Sequence, residues 1–409
     1  MSRTAALGFL NSLLNLERFH KPHSRAWNLK RMRELYEIFG HPERGVFTVV
    51  VGGTKGKGST AYFLSEILRR SGLRVGFYHS PHLEEPRERI WIHGRPLSRK
   101  DFEIGLGRIK RRLLKKAVRY TYFEILTLLA SLLFKERKMD VAIYEVGMGG
   151  RLDATHVLPA KILILTPIHY DHEAYLGSTL AAIAREKAAI LLPGRDAVVA
   201  TQVPEVRQVI RSFARKRRCR LWPPVSQKGI RTRLLGDFQK LNASVALRAA
   251  QILRNRYRFP VTEKAQSEGL LSNHWPGRME CLNYKGVSIL LDGAHNPKAI
   301  EALCRNLKRL FPRRRKILIF GTSRDKRSDR MWTHLKKVFH LCIVTRSNTP
   351  RAKEVARLLA EARDHFKVLI PAASSKEALG LAQKFARPAD LIVGTGSFYL
   401  IGELRSLLR

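Results

Sequence analysis

Between Gly52 and Thr60 the sequence GGTKGKGST sets four glycines around two lysines, Lys55 and Lys57, and ends on two hydroxyl residues. Glycine lets the backbone turn sharply and bring its N–H groups close to an anion. Lys57 would then neutralise outer phosphates, and the hydroxyl of Ser59 or Thr60 would reach a magnesium ion. That division of labour belongs to a nucleotide-binding loop, although Gly58, between the lysine and the first hydroxyl, departs from the usual GxxxxGK[ST] spacing. Three more polar residues follow apolar runs in the same way: Ser80 after RVGFY, Glu145 after VAIY and His172 after KILILT.

Such residues act together only if strands and helices deliver them to one place. Phe47 and Val49 to Val51 read as a buried strand entering the loop, and Phe63, Leu64, Ile67 and Leu68 as the apolar stripe of the helix leaving it. That helix aims its positive end at the loop. Alternation continues with a strand at Arg74 to Tyr78, a long loop from His79 to Ser98, and a helix capped by Ser98 and Asp101 that runs to Lys116. A helix at Thr121 to Lys138, the strand VAIYE, a strand at Lys161 to Thr166 and a helix capped by Ser178 follow. A strand at Ala197 to Ala200, a helix after Pro204, a short strand at Cys219 to Trp222 and helices at Leu241 to Arg254 and Thr262 to Leu271 complete the first half. The expected fold is α/β, a mostly parallel sheet covered on both faces with ligands at the carboxyl ends of its strands, where Ser80, Glu145 and His172 stand. Beyond HWPGR, read as a hinge, the pattern restarts with strands at Val287 to Leu291, Lys316 to Phe320, Leu341 to Thr345 and Leu391 to Val393, separated by helices. This predicts two domains, 1–274 and a smaller α/β Rossmann-like domain at 275–409.

At 409 residues and 44% hydrophobic, the chain can bury substantial cores. The N-terminal LGFLNSLLNL is broken by Asn11, Ser12 and Asn15, so it reads as an amphipathic helix and not a signal peptide. The apolar run Phe123 to Phe134 contains Glu124 and is too short to span a bilayer. A cytoplasmic protein without a membrane partner is expected. The four cysteines have no paired spacing, which argues against a zinc site or a disulfide framework. Lys and Arg number 76 against 34 Asp and Glu, a formal charge of +42 that attracts any polyanion. These cations are spread along the chain in RRLLKK, RKRR, RNRYR and FPRRRK without an RNA-binding motif beside them, so no dedicated nucleic-acid site is expected.

Taken in order, GTKGKGST, HSPHL with RERIWIHGRPLS, TYFE, EVGMGGRLDAT, YDH, LGSTLAAIAREKAAIL, GDFQKLNA, PGR, LDGAHNP and GSFYLIGELR resemble the folylpolyglutamate synthase and dihydrofolate synthase family, a branch of the Mur ligases. The resemblance implies a P-loop domain like the Mur central domain, followed by a C-terminal ligase domain. It implies an ATP- and Mg2+-dependent ligase, a monomer, that phosphorylates a pterin carboxylate and joins the acyl phosphate to L-glutamate. Carried over by position, Gly56, Lys57, Gly58 and Ser59 form the phosphate loop. Ser59, Ser80, Glu145 and His172 ligate magnesium, with Glu145 bridging two ions. Lys187 matches a lysine that is carbamylated in many relatives. Lys57, Glu145, His172 and Lys187 are thereby the catalytic set. Asn242, Arg278, Asp292 and His295 complete the ATP contacts from both domains, and Thr121, Asp153 and Ala154 meet the pterin substrate. Lys55 replaces the asparagine of many bacterial members, and HSRAWNLKRM before the first strand matches the family's pterin-holding segment only loosely. A basic P-loop ATPase acting on RNA would share the glycine loop but not EVGMGGRLDAT or LDGAHNP. A Mur-type ligase with another acceptor would share the ATP site but not the pterin segments.

Overall fold

The computed structural model describes residues 3–15, 28–114, 120–272 and 275–409. The chain divides into two compact units. Unit 1 holds 1–81, 86–233 and 238–272; unit 2 holds 273–409 together with 82–85 and 234–237.

Unit 1 begins with α1 (Arg3–Ser12) and α2 (Leu29–Ile38), then β1 (Phe47–Gly52), α3 (Lys57–Arg70) and β2 (Val75–Tyr78). The expected long loop after β2 is in part ordered as an edge hairpin, β3 (Ile90–Ile92) and β4 (Arg95–Pro96), turned by His93 and Gly94 with φ of 47° and 81°. The sequence signal for it was the His-Gly pair, since left-handed positions at both turn residues suit a two-residue hairpin. Next come α4 (Arg99–Leu113), α5 (Tyr122–Glu136), β5 (Val141–Glu145), a 3-10 turn at Ala154–Val157, β6 (Ile162–Leu165), α6 (Glu173–Leu176) and α7 (Leu180–Ala188). The expected extension of α4 to Lys116 ends on residues outside those described. Thr179, and not Ser178, caps α7, its hydroxyl accepting from the Ala182 N–H at 3.1 Å. Both residues carry the needed hydroxyl; Gly177 at φ 104° sets the chain direction so that the second one meets the first turn. The unit closes with β7 (Asp196–Val199), α8 (Pro204–Lys216), β8 (Arg220–Trp222), α9 (Phe238–Tyr257) and α10 (Glu263–Leu270).

Among the described residues its eight strands form one sheet, β4-β3-β2-β5-β1-β6-β7-β8, parallel from β2 to β8 with β3 and β4 antiparallel at the edge. β1 lies at the centre between β5 and β6, pairing Val51 with Glu145 and with Ile164. Its residues Val49 to Val51 are buried, as a strand covered on both faces demands. α1, α2, α4, α5, α7 and α8 share one continuous core on one face; α3 packs with α9 and α10.

Unit 2 contains β9 (Glu280–Tyr284), β10 (Val287–Asp292), α11 (Pro297–Leu310), β11 (Lys316–Phe320), α12 (Asp329–Leu335), β12 (Leu341–Val344), α13 (Val355–Ala362), β13 (Val368–Pro371), α14 (Ser375–Phe385), β14 (Leu391–Thr395) and α15 (Phe398–Leu407). Its six strands run β13-β12-β11-β14-β10-β9, with β9 antiparallel. β9, β13 and α14 were absent from the sequence reading. The two strands are half exposed at the sheet edges; β9, ECLNY, lacks a continuous apolar run, and β13, VLIP, has one of only four residues ending on a proline.

Candidate nucleotide and acyl-transfer site

β1 ends at Gly52, and the chain turns through Gly53 at φ 132° and Gly56 at φ 85° before α3 begins. Neither position admits a side chain. A Cβ on Gly53 would lie 2.0 Å from the Thr166 hydroxyl, and one on Gly56 would lie 2.2 Å from Asn242 Oδ1. Gly56 is the N-cap of α3 and brings no capping side chain, so the first-turn N–H groups keep no such partner. With the helix dipole behind them they form an anion site. The loop is tied to the chain after β6: Thr54 N and Lys55 N donate to Pro167 O at 3.0 and 3.3 Å, and Thr54 Oγ1 bridges the backbone of His169.

Lys57, Ser59, Ser80, Glu145, Lys187 and Asn242 gather around this turn. Lys57 Nζ stands 4.0 Å from Glu145 Oε1, and the Ser80 N–H donates to the other oxygen of that carboxylate at 3.3 Å. Asn242, three per cent exposed, backs the loop from α9 and donates through Nδ2 to Gln239 Oε1 at 3.0 Å, while Gln239 Nε2 reaches Ser59 Oγ at 3.5 Å. Gln239 is a site residue that sequence reading passed over. It lies one helical turn before Asn242, the spacing that puts two side chains on one face. His172 caps α6 in the left-handed region, φ 53°, with its N–H on Asp171 Oδ1 at 3.1 Å. For a residue other than glycine this conformation carries a steric cost, so the surrounding chain holds the histidine in place.

Lys187 is fully buried on α7 and donates from Nζ to Gly53 O at 3.0 Å. Burial, and secondarily the nearby Lys57 charge, bring its pKa down to about 7; Asp171 and Asp153 oppose that shift. An amine so depressed is in good part neutral at ordinary pH and is therefore a nucleophile. Among the described residues no group of three or more His, Cys, Asp or Glu side chains gathers as a metal cage. A magnesium ion is in general held by one or two carboxylates plus phosphate oxygens and water. Glu145 beside the phosphate loop fits the carboxylate part of such a site.

Thr121, Asp153 and Ala154 are all buried. Thr121 is the N-cap of α5 in a reciprocal box with Glu124: its N–H donates to Glu124 Oε2 at 2.7 Å and its hydroxyl accepts from Glu124 N at 3.2 Å. Arg31 on α2 grips the same carboxylate, Nε to Oε1 at 3.2 Å. Asp153 has both oxygens in use, accepting from Met148 N at 3.0 Å and from Thr155 N and Oγ1 at 3.0 and 2.6 Å. Burial raises its pKa and these donors pull it back. Its visible role is to hold the GMGG turn and the short 3-10 turn that begins at Ala154. Of the loosely matching HSRAWNLKRM stretch, 23–27 lie outside the described residues.

In unit 2, Arg278, Asp292 and His295 come together after β10. Asp292 accepts from the N–H groups of Met279 and Ala294, both at 2.9 Å; burial raises its pKa and Arg278 lowers it. The Arg278 guanidinium lies 4.6 Å above the Phe398 ring, and His295 sits 5.8 Å from the same ring with Nδ1 2.7 Å from Gly293 O. Phe398, inside the GSFYLIGELR match but unassigned from sequence, is the apolar floor of this cluster. A Cβ on Gly293 would lie 2.5 Å from it.

Comparison with known proteins agrees with the two units. Residues 51–222 match the Mur ligase middle domain, and 277–398 match the Mur ligase, glutamate ligase domain. A dihydrofolate synthase/folylpolyglutamate synthase of Bacillus subtilis is 32% identical over 93% of this chain and 95% of that protein. One of the same name from Escherichia coli is 30% identical over 88% of this chain and 86% of its own. Among solved structures, Mycobacterium tuberculosis folylpolyglutamate synthase complexed with ADP superposes with a TM-score of 0.88 at 28% identity, covering 100% of this chain and 99% of that one. Escherichia coli FolC in complex with DHPP and ADP gives 0.84 at 27% identity, covering 100% and 97%.

Proposed function

This chain belongs to the folylpolyglutamate synthase/dihydrofolate synthase family of Mur ligases and is an ATP-dependent folate–glutamate ligase, and from that premise we propose that it performs both steps, glutamylating dihydropteroate and then extending the folate tail. The Bacillus subtilis and Escherichia coli relatives carry both activities in their names. The observation that carries the reading is the phosphate loop itself, with Lys57 4.0 Å from Glu145 and Gly56 pressed against Asn242.

A carboxylate is a poor electrophile until it is phosphorylated. One oxygen of the acceptor carboxylate attacks the γ-phosphorus of ATP, the bond to the bridging oxygen breaks, and ADP leaves. The glutamate amine then attacks the acyl carbon, gives up a proton and expels inorganic phosphate, leaving an amide. Phosphoryl transfer of this kind is catalysed chiefly by positioning and by positive charge around the phosphates. The first-turn N–H groups of α3 and the ammonium of Lys57 supply both. Gln239 and Asn242 hold the loop and Ser59 in register, and the capping box at Thr121, braced by Arg31, fixes the start of α5 for the pterin end. A magnesium ion held by Glu145, His172 and the hydroxyls of Ser59 and Ser80 would add charge at the phosphate oxygens. Arg278, Asp292 and His295 keep their assignment to nucleotide contact on the family resemblance.

Lys187 is proposed to carry a carbamate. Its neutral amine attacks carbon dioxide, forming an N–C bond and releasing one proton, which replaces a costly buried cation by an anion beside Lys57. The whole reading is tested by supplying ATP and glutamate with dihydropteroate, with tetrahydrofolate, with a cell-wall precursor or with RNA, following phosphate release and product mass. Products from both pteridines are expected. Product from tetrahydrofolate alone refutes the double activity, and turnover only with a cell-wall precursor or RNA refutes the acceptor class.

A further inference from the structure

The basic residues that look scattered in the sequence converge at the end of unit 1 opposite the phosphate loop. β6, β7 and β8 are parallel, with Ile162 beside Asp196 and Asp196 beside Arg220. Lys161, Arg195 and Arg220, at or just before the strand starts, therefore stand on adjacent strands about 5 Å apart. Arg220 N donates to Arg195 O and Gly194 N to Arg217 O, each at 2.9 Å, which fastens the end of α8 to the same edge. That turn exposes Arg215, Lys216 and Arg218. The end of α9 joins it because the Tyr257 hydroxyl reaches Asp196 Oδ2 at 3.0 Å and Lys161 O at 3.3 Å, and it exposes Arg254, Arg256 and Arg258.

Two carboxylates lie on or beside these segments. Asp196 is buried and already accepts from Trp222 Nε1 at 2.8 Å and Arg256 Nε at 3.0 Å, with Arg220 Nη1 3.9 Å away; Glu263, on the neighbouring α10, lies 3.7 Å from Arg254. The remaining cations face solvent as one field. Most are arginines, whose planar fork matches phosphate oxygens better than an ammonium does. Trp222 and Tyr257 flank them half-buried. The exposed large hydrophobics among the described residues, such as Val203, Phe238 and Leu271, lie on other segments, so this end has no apolar anchor for a lipid surface.

We propose that this end of unit 1 is a docking surface for the sugar-phosphate backbone of a nucleic acid, bound without base specificity and remote from the ligase site. Phosphate contact alone gives such binding its strength and its salt dependence. The test is fluorescence anisotropy of the full chain with a labelled single-stranded RNA 20-mer of mixed sequence across a salt series. The parent is compared with Arg215→Gln/Lys216→Gln/Arg258→Gln. Three lost phosphate contacts flatten the slope of log K against log salt by about 2 and weaken binding about 100-fold at 0.1 M salt. Turnover with ATP, glutamate and folate should be unchanged, which also reports that the variant folds. A control triple, Lys367→Gln/Lys376→Gln/Lys384→Gln, removes the same charge from exposed positions in unit 2 and should leave RNA affinity within about twofold, the expected outcome for a local surface. The proposal is overturned if the control weakens binding as much as the first triple does. Failure of the parent to bind RNA, or tighter binding to phosphatidylserine vesicles or to a polyglutamate peptide than to RNA, overturns it as well.

Discussion

Replacing Lys187 by methionine tests whether a buried amine stands beside the phosphate loop. The side chain is fully buried and its pKa falls from 10.5 to about 7, mainly through desolvation and then through Lys57. Because the folded value is the lower one, the unfolded chain binds the proton more tightly at every pH between the two. Stability contributed by this residue therefore rises with pH across that window. Below pH 7 the folded protein carries the full handicap, on the order of 5 kcal/mol at 1.36 kcal/mol per pH unit. Between pH 6 and 9 about 2–3 kcal/mol of that handicap is relieved in the parent and nothing changes in Lys187→Met. Other titrating groups are common to both proteins and cancel in the difference. The hydrogen bond to Gly53 O, worth about 1 kcal/mol, is lost at every pH and does not affect the slope. Urea unfolding of both proteins from pH 6 to 9, in buffers stripped of carbon dioxide, should show Lys187→Met gaining on the parent as pH falls, by about 2 kcal/mol over the range. A difference that stays flat within 0.5 kcal/mol, on the order of ordinary mutational scatter, refutes the depressed amine and with it the route to a carbamate.

Lys57→Ala removes the loop cation that stands beside Glu145, so kcat should fall by about 10²-fold or more while circular dichroism is unchanged. Glu145→Gln keeps the size and the acceptor for the Ser80 N–H but loses charge; the loss should appear in kcat and in a higher magnesium requirement, and a magnesium titration superimposable on the parent's would count against a ligand role. Gly56→Ala combines φ 85° with a clash against Asn242 and should lose well over 1–2 kcal/mol, the cost of the left-handed region alone, together with ATP binding by calorimetry. Gly40→Ala, at φ 68° with open space around it, should pay only the backbone term and keep full turnover. Arg31→Met releases Glu124 from its clamp, so KM for dihydropteroate should rise with kcat and ATP affinity nearly constant; an unchanged KM would separate α2 from the pterin end.

The phosphate loop was legible because its chemistry is local: strand, glycines, lysine and helix are contiguous, and β1 and α3 fall where periodicity put them. What escaped depends on partners distant in sequence. The β3–β4 hairpin packs where a loop was expected because its pairing to β2 is non-local, and 82–85 and 234–237 belong to unit 2 although both are flanked on each side by residues of unit 1. Lys187 read alone is an ordinary lysine on an alanine-rich helix; only three-dimensional burial turns it into a near-neutral amine.

Asp153 shows the same limit at the level of single atoms. A motif gives the residue and its neighbourhood, yet whether a carboxylate meets substrate depends on what already occupies its oxygens. Here Met148 N, Thr155 N and Thr155 Oγ1 occupy both. A buried carboxylate that lost these donors would face an uncompensated desolvation cost of several kcal/mol, so the turn and the charge stabilise each other. Thr121 is different. Its hydroxyl accepts from Glu124 N and retains a proton to donate. Of the three residues matched to the pterin region by the same resemblance, Thr121 therefore has a hydroxyl proton unspent among the described residues at the start of α5, and Asp153 acts by fixing the GMGG turn and the short turn that begins at Ala154.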